Sequence, residues 1–241
     1  MKKPILLLIL LATMVSASAQ VSSETETIQT APTSLSGWSF GVHALYSINV
    51  LEANVAYQEN VRYVAGDGLG FSLNATYNVQ PWLAFRGAIE AIPKNYVRYG
   101  AYDATTNVAG LMTQAKNMYL NIPVVADFSI GGKLRFHARL GGYMGYWLMG
   151  RRQGISIPLT SVDPISEFDV PYEFDSRRDN RFDAGITSAL AFSALCFNRI
   201  DLELALRLDY SLTDVQKQYT KYIHPRYNTT VLLTLGAAYK F

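Results

Sequence analysis

The sequence predicts an all-β chain, an eight-stranded antiparallel transmembrane β-barrel of the outer membrane, and three observations predict it. The stretch 227–241 alternates between an apolar row, from Tyr227 to Phe241 in steps of two, and a row of small or polar residues. Tyrosine (16) and phenylalanine (11) are abundant, whereas charged residues make up only 17% of the chain. No segment has 18 consecutive apolar residues, so helices are not expected to cross the membrane. Such alternation with aromatic ends is typical of strands that face lipid on one side and a lumen on the other.

The N-terminus has the pattern of a secretory signal peptide. Lys2 and Lys3 provide the charged start, residues 5–15 form an apolar run too short to span a bilayer, and Ala17-Ser18-Ala19 offers a cleavage site. We therefore expect residues 1–19 to be removed. An uncleaved anchor helix is the alternative, and the short apolar run disfavours it.

Residues 20–36 are rich in Ser, Thr and Glu and are predicted to form a flexible periplasmic leader, followed by the barrel over 37–241. Without Lys2 and Lys3 the basic residues number 19 and balance the 19 acidic residues, so nucleic acid is not expected as a partner. Cys196 is the single cysteine and has no suitably spaced Cys or His nearby. Neither a disulfide, a metal site nor a cofactor site is therefore predicted.

Eight alternating segments follow the leader, each long enough for a tilted strand that crosses the membrane. Their outward rows run from Trp38 to Ile48, Leu69 to Val79, Leu83 to Ala91, Met118 to Ile130, Leu134 to Leu148, Phe182 to Phe192, Ile200 to Leu212, and Tyr227 to Phe241. Short turns are predicted around Pro81, Gly132 and Asn198, and long loops over 50–67, 94–116, 151–180 and 213–225. Short periplasmic turns and long extracellular loops are the usual asymmetry, so both termini are expected in the periplasm.

The inward rows carry six basic and six acidic side chains, with His137 in addition. The basic ones are Arg86, Arg135, Arg139, Arg181, Arg207 and Lys240, and the acidic ones are Glu90, Asp127, Asp183, Asp201, Glu203 and Asp209. Side chains just fill an eight-stranded barrel, so these charges are expected to pair and plug the lumen rather than line a pore. A selective pore or a proton relay is the alternative. Pro123 cannot donate to a strand ladder, so a bulge is expected there.

An enzymatic site would need a nucleophile and a base close together. The three histidines are His43 and His137, predicted inward, and His224, predicted in a loop. Their spacing places no Ser-His-acid arrangement, and the sequence therefore predicts no catalytic residues. A lone buried histidine is more often a hydrogen-bonded interior residue.

The long loops are rich in tyrosine and arginine, residue types that suit binding surfaces. They hold Tyr57, Tyr63, Tyr96, Tyr99, Tyr102, Tyr172, Tyr219 and Tyr222, with Arg151, Arg152, Arg177, Arg178, Lys217, Lys221 and Arg226. Contact with lipopolysaccharide, outer-membrane lipid or a protein fits this composition, as does an interfacial belt with solvated loop tips.

Several motifs in order resemble the PorT-like outer-membrane β-barrel family. They are Tyr119-Leu120-Asn121-Ile122-Pro123-Val124, Leu134-Arg135-Phe136, Leu140 to Tyr146, Asp183-Ala184-Gly185, Leu202 to Thr213, and Leu235 to Phe241. The similarity covers roughly residues 115–241, and the first three strands agree only in pattern. The resemblance implies an eight-stranded outer-membrane barrel and, by analogy with founding members, an accessory role in protein secretion. It implies no catalytic residues.

The sequence thus predicts a non-enzymatic integral barrel that is a structural or binding component of the envelope. Its expected partners are outer-membrane lipid, lipopolysaccharide and an envelope or secretion-machinery protein, contacted through the outer loops or the leader. A small-solute channel and a lipid-modifying enzyme are the alternative functions.

Overall fold

The computed structural model describes residues 37–53, 61–100, 108–158, 166–196, 199–217 and 225–241. The predicted signal peptide 1–19 and leader 20–36 lie outside these residues. So do several predicted loop residues and one of the three histidines, namely Tyr57, Tyr102, Tyr219, Tyr222, Lys221 and His224. Within the described part of the chain, no helix is long and apolar enough to cross a membrane.

Ten β-strands make up the described chain. They are β1 (Gly37–Ala53), β2 (Val61–Gln80), β3 (Leu83–Pro93), β4 (Tyr96–Gly100), β5 (Val108–Gly131), β6 (Leu134–Pro158), β7 (Ser166–Pro171), β8 (Phe182–Cys196), β9 (Ile200–Ser211) and β10 (Arg226–Lys240). Eight of them match the predicted segments in order. The other two, β4 and β7, lie in stretches that were predicted to be loops.

The eight predicted strands close into a ring in the order β1, β2, β3, β5, β6, β8, β9 and β10, with β10 paired to β1. Every neighbouring pair is antiparallel. Closure leaves no free strand edge in the ring, which lipid requires because it cannot hydrogen-bond to exposed backbone. The predicted fold class is confirmed.

Side chains alternate between the outer surface and the lumen as predicted. On β9 the even positions from Leu202 to Tyr210 are exposed, whereas Glu203 and Asp209 are buried. On β10 Leu233, Leu235 and Tyr239 are exposed and Leu232 is buried. The outer surface is therefore apolar and the lumen polar, which is the reverse of a soluble barrel.

One end of the ring, which we call the terminal end, carries the start of β1 beside the end of β10, where Ser39 pairs with Lys240. The three short connections, β2–β3, β5–β6 and β8–β9, also lie there. Gly131 has φ +118°, a conformation that side chains rarely adopt, and a Cβ at this position would lie 2.1 Å from the Leu134 carbonyl oxygen. The tight turn predicted at Gly131 to Lys133 is therefore present and depends on this glycine.

At the opposite end, strands continue past the ring on one side and form what we call the wall. It consists of 61–65 of β2, all of β4, 108–117 of β5, 150–158 of β6 and all of β7. The strands β4 and β7 pair with these extensions. The predicted long loops 50–67, 94–116 and 151–180 are therefore partly ordered sheet.

The prediction of a bulge at Pro123 is wrong. Pro123 pairs with Tyr143 of β6 without a change of register. Towards β3 the ladder omits two pairs after Val124 and resumes at Asn121 in the same register. The missing donor is thus accommodated by a gap in one ladder. The nearest irregularity on β5 lies at Met118 and Tyr119, where β6 has one extra residue.

Candidate functional site

Glu203 on β9 is the centre of a charge cluster in the half of the lumen nearest the terminal end. Its carboxylate accepts hydrogen bonds from Arg139 Nη2 at 2.6 Å and Arg86 Nη1 at 2.9 Å. His43 Nε2 lies 3.4 Å from Glu203 Oε1, and Asn74 Nδ2 lies 2.7 Å from His43 Nδ1. The cluster joins five strands across the lumen. Because the groups are largely buried, these charge-assisted bonds lock the strands together.

A second arrangement beside this cluster has the connectivity of a catalytic triad. His137 Nδ1 lies 2.9 Å from Asp127 Oδ1, and His137 Nε2 lies 3.0 Å from Ser193 Oγ. Sequence spacing missed it because Asp127, His137 and Ser193 stand on three different strands. The serine is only 2% exposed, however, and Asp127 also accepts a bond from Arg139 Nε at 2.8 Å. This geometry fits a hydrogen-bonded part of the charge network better than a nucleophile open to substrate.

Arg207 forms a further ion cluster nearer the middle of the barrel. Its two terminal nitrogens donate to both oxygens of Glu90 at 2.7 Å, and Nη2 also donates to Asp209 at 2.9 Å. Thr187 donates to Asp209 at 2.6 Å. A cavity of about 40 Å³ separates this cluster from that of Glu203. The cavity is large enough for a few water molecules, but the ion clusters on its two sides interrupt any path along the lumen.

Lys94 closes the lumen towards the wall. Its side chain is 0% exposed, and Nζ lies 2.6 Å from Asp183 Oδ2. The same nitrogen lies 4.6 Å and 5.1 Å from the ring centres of Tyr143 and Tyr119. Sequence analysis missed Lys94 by ending strand three at Ala91. Extending the inward row Arg86, Glu90 by two more steps would have placed Lys94 inside.

Stacked aromatic rings continue the closure above Lys94. Tyr119 stacks on Trp147 at 5.8 Å, and Trp147 stacks on Tyr172 at 5.1 Å. The Phe174 ring meets Trp147 edge-on at 4.9 Å. Both Tyr119 and Trp147 are buried. The rings therefore fill the lumen at the level where the wall begins.

Two predicted interior arginines do not join the ion clusters. Arg181 lies 4.0 Å from the ring centre of Phe174 and 4.6 Å from that of Tyr146 on the outer surface, and it donates to the carbonyl oxygens of Trp147 and Leu148. Arg135 donates to the carbonyl oxygen of Gly132 in the turn. Arg135 lies near the start of β6 and Arg181 just before the start of β8, where backbone carbonyls are within reach. The remaining two predicted interior charges, Lys240 and Asp201, pair with each other at 2.5 Å.

The inner face of the wall carries alternating aromatic and guanidinium groups. Arg152 stacks on Tyr172 at 4.1 Å and lies 5.9 Å from the ring of Tyr96. The Tyr96 ring lies 5.8 Å from that of Tyr63, over which Arg226 lies at 5.7 Å. Several tyrosines and arginines that were predicted in loops are thus gathered on one ordered surface.

Hydrogen bonds fix one edge of this face. Tyr172 donates its hydroxyl to Asp179 at 2.8 Å, and Arg178 donates to both residues. Burial and the neighbouring Asp179 carboxylate raise the pKa of Tyr172 to about 12. Burial opposes ionisation of Asp179, but its bonds from Arg178 outweigh this and lower the pKa of its carboxyl. At neutral pH Tyr172 is therefore a neutral donor to an ionised Asp179.

Within the described residues, no group of three His, Cys, Asp or Glu side chains is arranged to hold a metal ion. Cys196 is a free, half-buried thiol at the end of β8. The notable arrangements are thus the charge-filled lumen and the aromatic–arginine face of the wall.

Several solved structures of outer-membrane proteins are similar to this chain. The outer membrane protease OmpT of Escherichia coli is 10% identical with a TM-score of 0.51, and the match covers 88% of this chain and 99% of OmpT. OprG of Pseudomonas aeruginosa is 11% identical (TM-score 0.49; 85% and 96% covered), and Ail of Yersinia pestis is 13% identical (TM-score 0.43; 85% and 99% covered).

No curated protein sequence matches the chain. Residues 19–217 match the family described as "Outer membrane protein beta-barrel domain". This stretch includes seven of the eight ring strands. The chain belongs to the outer membrane protein beta-barrel domain family.

Proposed function

We propose that this barrel is a non-enzymatic binding component of the outer membrane, whose wall presents a contact face while the lumen is a structural plug. In this arrangement both termini lie in the periplasm and the wall projects outside the cell. The observation that carries the proposal is the aromatic–arginine face built on Tyr63, Tyr96, Arg152 and Tyr172. Rings that stack on guanidinium groups give a rigid surface, so little side-chain entropy is lost on binding.

The charge of this face favours an acidic partner surface. Arg178 is paired with Asp179, but Arg98, Arg152 and Arg226 have no carboxylate within 4 Å among the described residues. Guanidinium groups without a carboxylate can fork onto carboxylate or phosphate groups of a partner. The resemblance to PorT-like proteins supports an accessory role in protein secretion, with an envelope protein as the occupant.

A channel and an enzyme are the two alternative functions. A channel is disfavoured by the ion clusters of Glu203 and Arg207, the Lys94–Asp183 pair and the stacked rings, which follow one another along the lumen. An enzyme would use Ser193, His137 and Asp127, and the burial of Ser193 disfavours it. Both alternatives would require a rearranged interior.

Adjacent residues of β4 provide a matched test of the binding face. Arg98 shares the inner face with Tyr96, whereas Tyr99 points to the outer surface and is exposed. A photo-crosslinking amino acid at position 98 should give a discrete protein adduct in intact cells, and the same probe at 99 should not. Equal labelling at both positions, or at neither, would contradict the assignment of the inner face.

The same preparations test the enzyme alternative. A fluorophosphonate probe should leave the folded protein unlabelled because Ser193 is enclosed. Labelling that disappears in Ser193→Ala would replace the binding proposal with a hydrolase. Identification of the crosslinked protein as a component of secretion machinery would support the proposed accessory role in protein secretion.

A further inference from the structure

The strand β7 is an open edge of the wall. Among the described strands it pairs with β6 alone, whereas each of the others pairs with at least two neighbours. Outside the ladder with β6, the backbone of β7 makes no hydrogen bond to any described residue. An unpaired edge presents a row of free N–H and C=O groups, and an added strand can bind to such a row.

The ladder with β6 determines which backbone groups of β7 are free. Directly after β7, Tyr172 donates its backbone N–H to the carbonyl oxygen of Gly150 at 2.8 Å. In an antiparallel ladder every second residue bonds to the same neighbour, so the even-numbered residues of β7 bond to β6. Glu167 and Asp169 therefore direct both N–H and C=O away from β6, and Pro171 directs only its C=O there.

Side chains of β7 alternate between an apolar inner row and an acidic outer row. Val170 is the cross-strand partner of Arg152, so it lies on the inner face of the wall, together with Phe168. Although it is apolar, Val170 is 48% exposed. Glu167 and Asp169 form the outer row, and both are exposed. A strand added at this edge would therefore meet apolar side chains on one face and carboxylates on the other.

The charge of the outer row favours one kind of occupant. Asp169 is bonded by Arg151 and by Gln153, the latter at 2.8 Å, whereas Glu167 has no cation within 4 Å among the described residues. A second copy of this chain would bring the same carboxylates and no basic row to β7. A segment with basic residues at every second position would instead be complementary to the edge.

We propose that the edge of β7 binds an extended segment of another protein, in which basic residues alternate with apolar ones, as an added strand of the wall. The basic row of this segment lies beside Glu167 and Asp169, and its apolar row lies beside Phe168 and Val170. Its backbone bonds to the free N–H and C=O groups of β7. The guanidinium groups of the aromatic–arginine face favour an acidic partner, so the two contacts are distinct and each can fail alone.

Hydrogen exchange of the full barrel in phosphatidylcholine nanodiscs, followed by NMR, tests the edge directly. The probe is a synthetic peptide that alternates arginine and valine. The backbone amides of Glu167 and Asp169 should exchange rapidly in the protein alone and roughly tenfold more slowly at saturating peptide. A peptide of the same sequence that is N-methylated at its backbone amides is the matched control. It keeps the charge and the apolar surface but cannot donate hydrogen bonds, so it should give no protection.

Glu167→Lys provides a second arm. It should bind the arginine–valine peptide about fivefold to tenfold more weakly, because repulsion replaces attraction, and should bind a glutamate–valine peptide more tightly than the unaltered protein does. Glu52→Lys on β1 is the control, since Glu52 is also exposed and the change in net charge is the same. It should leave the binding of both peptides unchanged.

Each remaining outcome counts against the proposal. Slow exchange of both amides in the protein alone would show that the edge is already covered, and would overturn the proposal without any variant. Absence of protection by the arginine–valine peptide, or equal protection by its N-methylated form, would overturn strand addition. Equal effects of Glu167→Lys and Glu52→Lys would show that net charge, not the edge of β7, selects the peptide.

Discussion

Glu203→Gln should destabilise the folded barrel by about 3–5 kcal/mol, the range expected when one partner of a buried ion pair is removed. The amide keeps the shape of the side chain but leaves Arg86 and Arg139 without the carboxylate that they share at 2.6–3.0 Å. Those two guanidinium groups would then repel each other inside the lumen. Reversible urea unfolding in lipid vesicles, followed by tryptophan fluorescence, measures the loss.

Asp169→Asn provides the control for this experiment. Its partner Arg151 is exposed, so removal of the charge should leave the urea midpoint unchanged within error. A second arm combines Glu203→Gln with Arg86→Gln, which should recover part of the loss because one stranded charge is also removed. If Glu203→Gln and Asp169→Asn had equally small effects, the interior charges would not stabilise the barrel.

Leu204→Arg and Leu233→Arg should each cost about 2–4 kcal/mol if these positions lie near the bilayer midplane. Leu204 is 49% and Leu233 48% exposed in the absence of lipid, on the neighbouring strands β9 and β10. Either introduced arginine would place a charge in the hydrocarbon core of the bilayer. Folding yield and urea unfolding in vesicles are the measurements.

Leu204→Phe is the matched control, because it changes the volume of the side chain and keeps it apolar. It should fold into vesicles as the unaltered protein does. Full tolerance of both arginine substitutions would contradict the outward assignment of this row, and with it the membrane placement of the ring.

Most of the ring could be predicted because a strand with lipid on one side and a lumen on the other leaves a period of two in the sequence. Leu202 to Tyr210 carry this signal without interruption, and the structure confirms it. The wall could not be predicted in this way. Its added strands Tyr96–Gly100 and Ser166–Pro171 have only five and six residues, fewer than the roughly 9–11 of a strand that crosses the membrane.

The interior was predictable as a set of charges but not as a set of pairs. Parity along each strand identifies Glu203, Arg86 and Arg139 as inward residues, whereas their meeting depends on strand tilt across the lumen. The same reason explains why Ser193, His137 and Asp127 were not grouped. Arg181 was assigned inward by parity, but it lies just before β8 begins, where alternation no longer fixes the direction of a side chain.

Conductance of the full barrel in planar bilayers tests the central claim most directly. The single thiol of Cys196 allows inserted molecules to be counted with a fluorescent label. The ion clusters, the Lys94–Asp183 pair and the stacked rings predict no sustained current above the protein-free bilayer. A stable, reproducible conductance step that scales with the number of labelled molecules would contradict a sealed lumen and favour the channel.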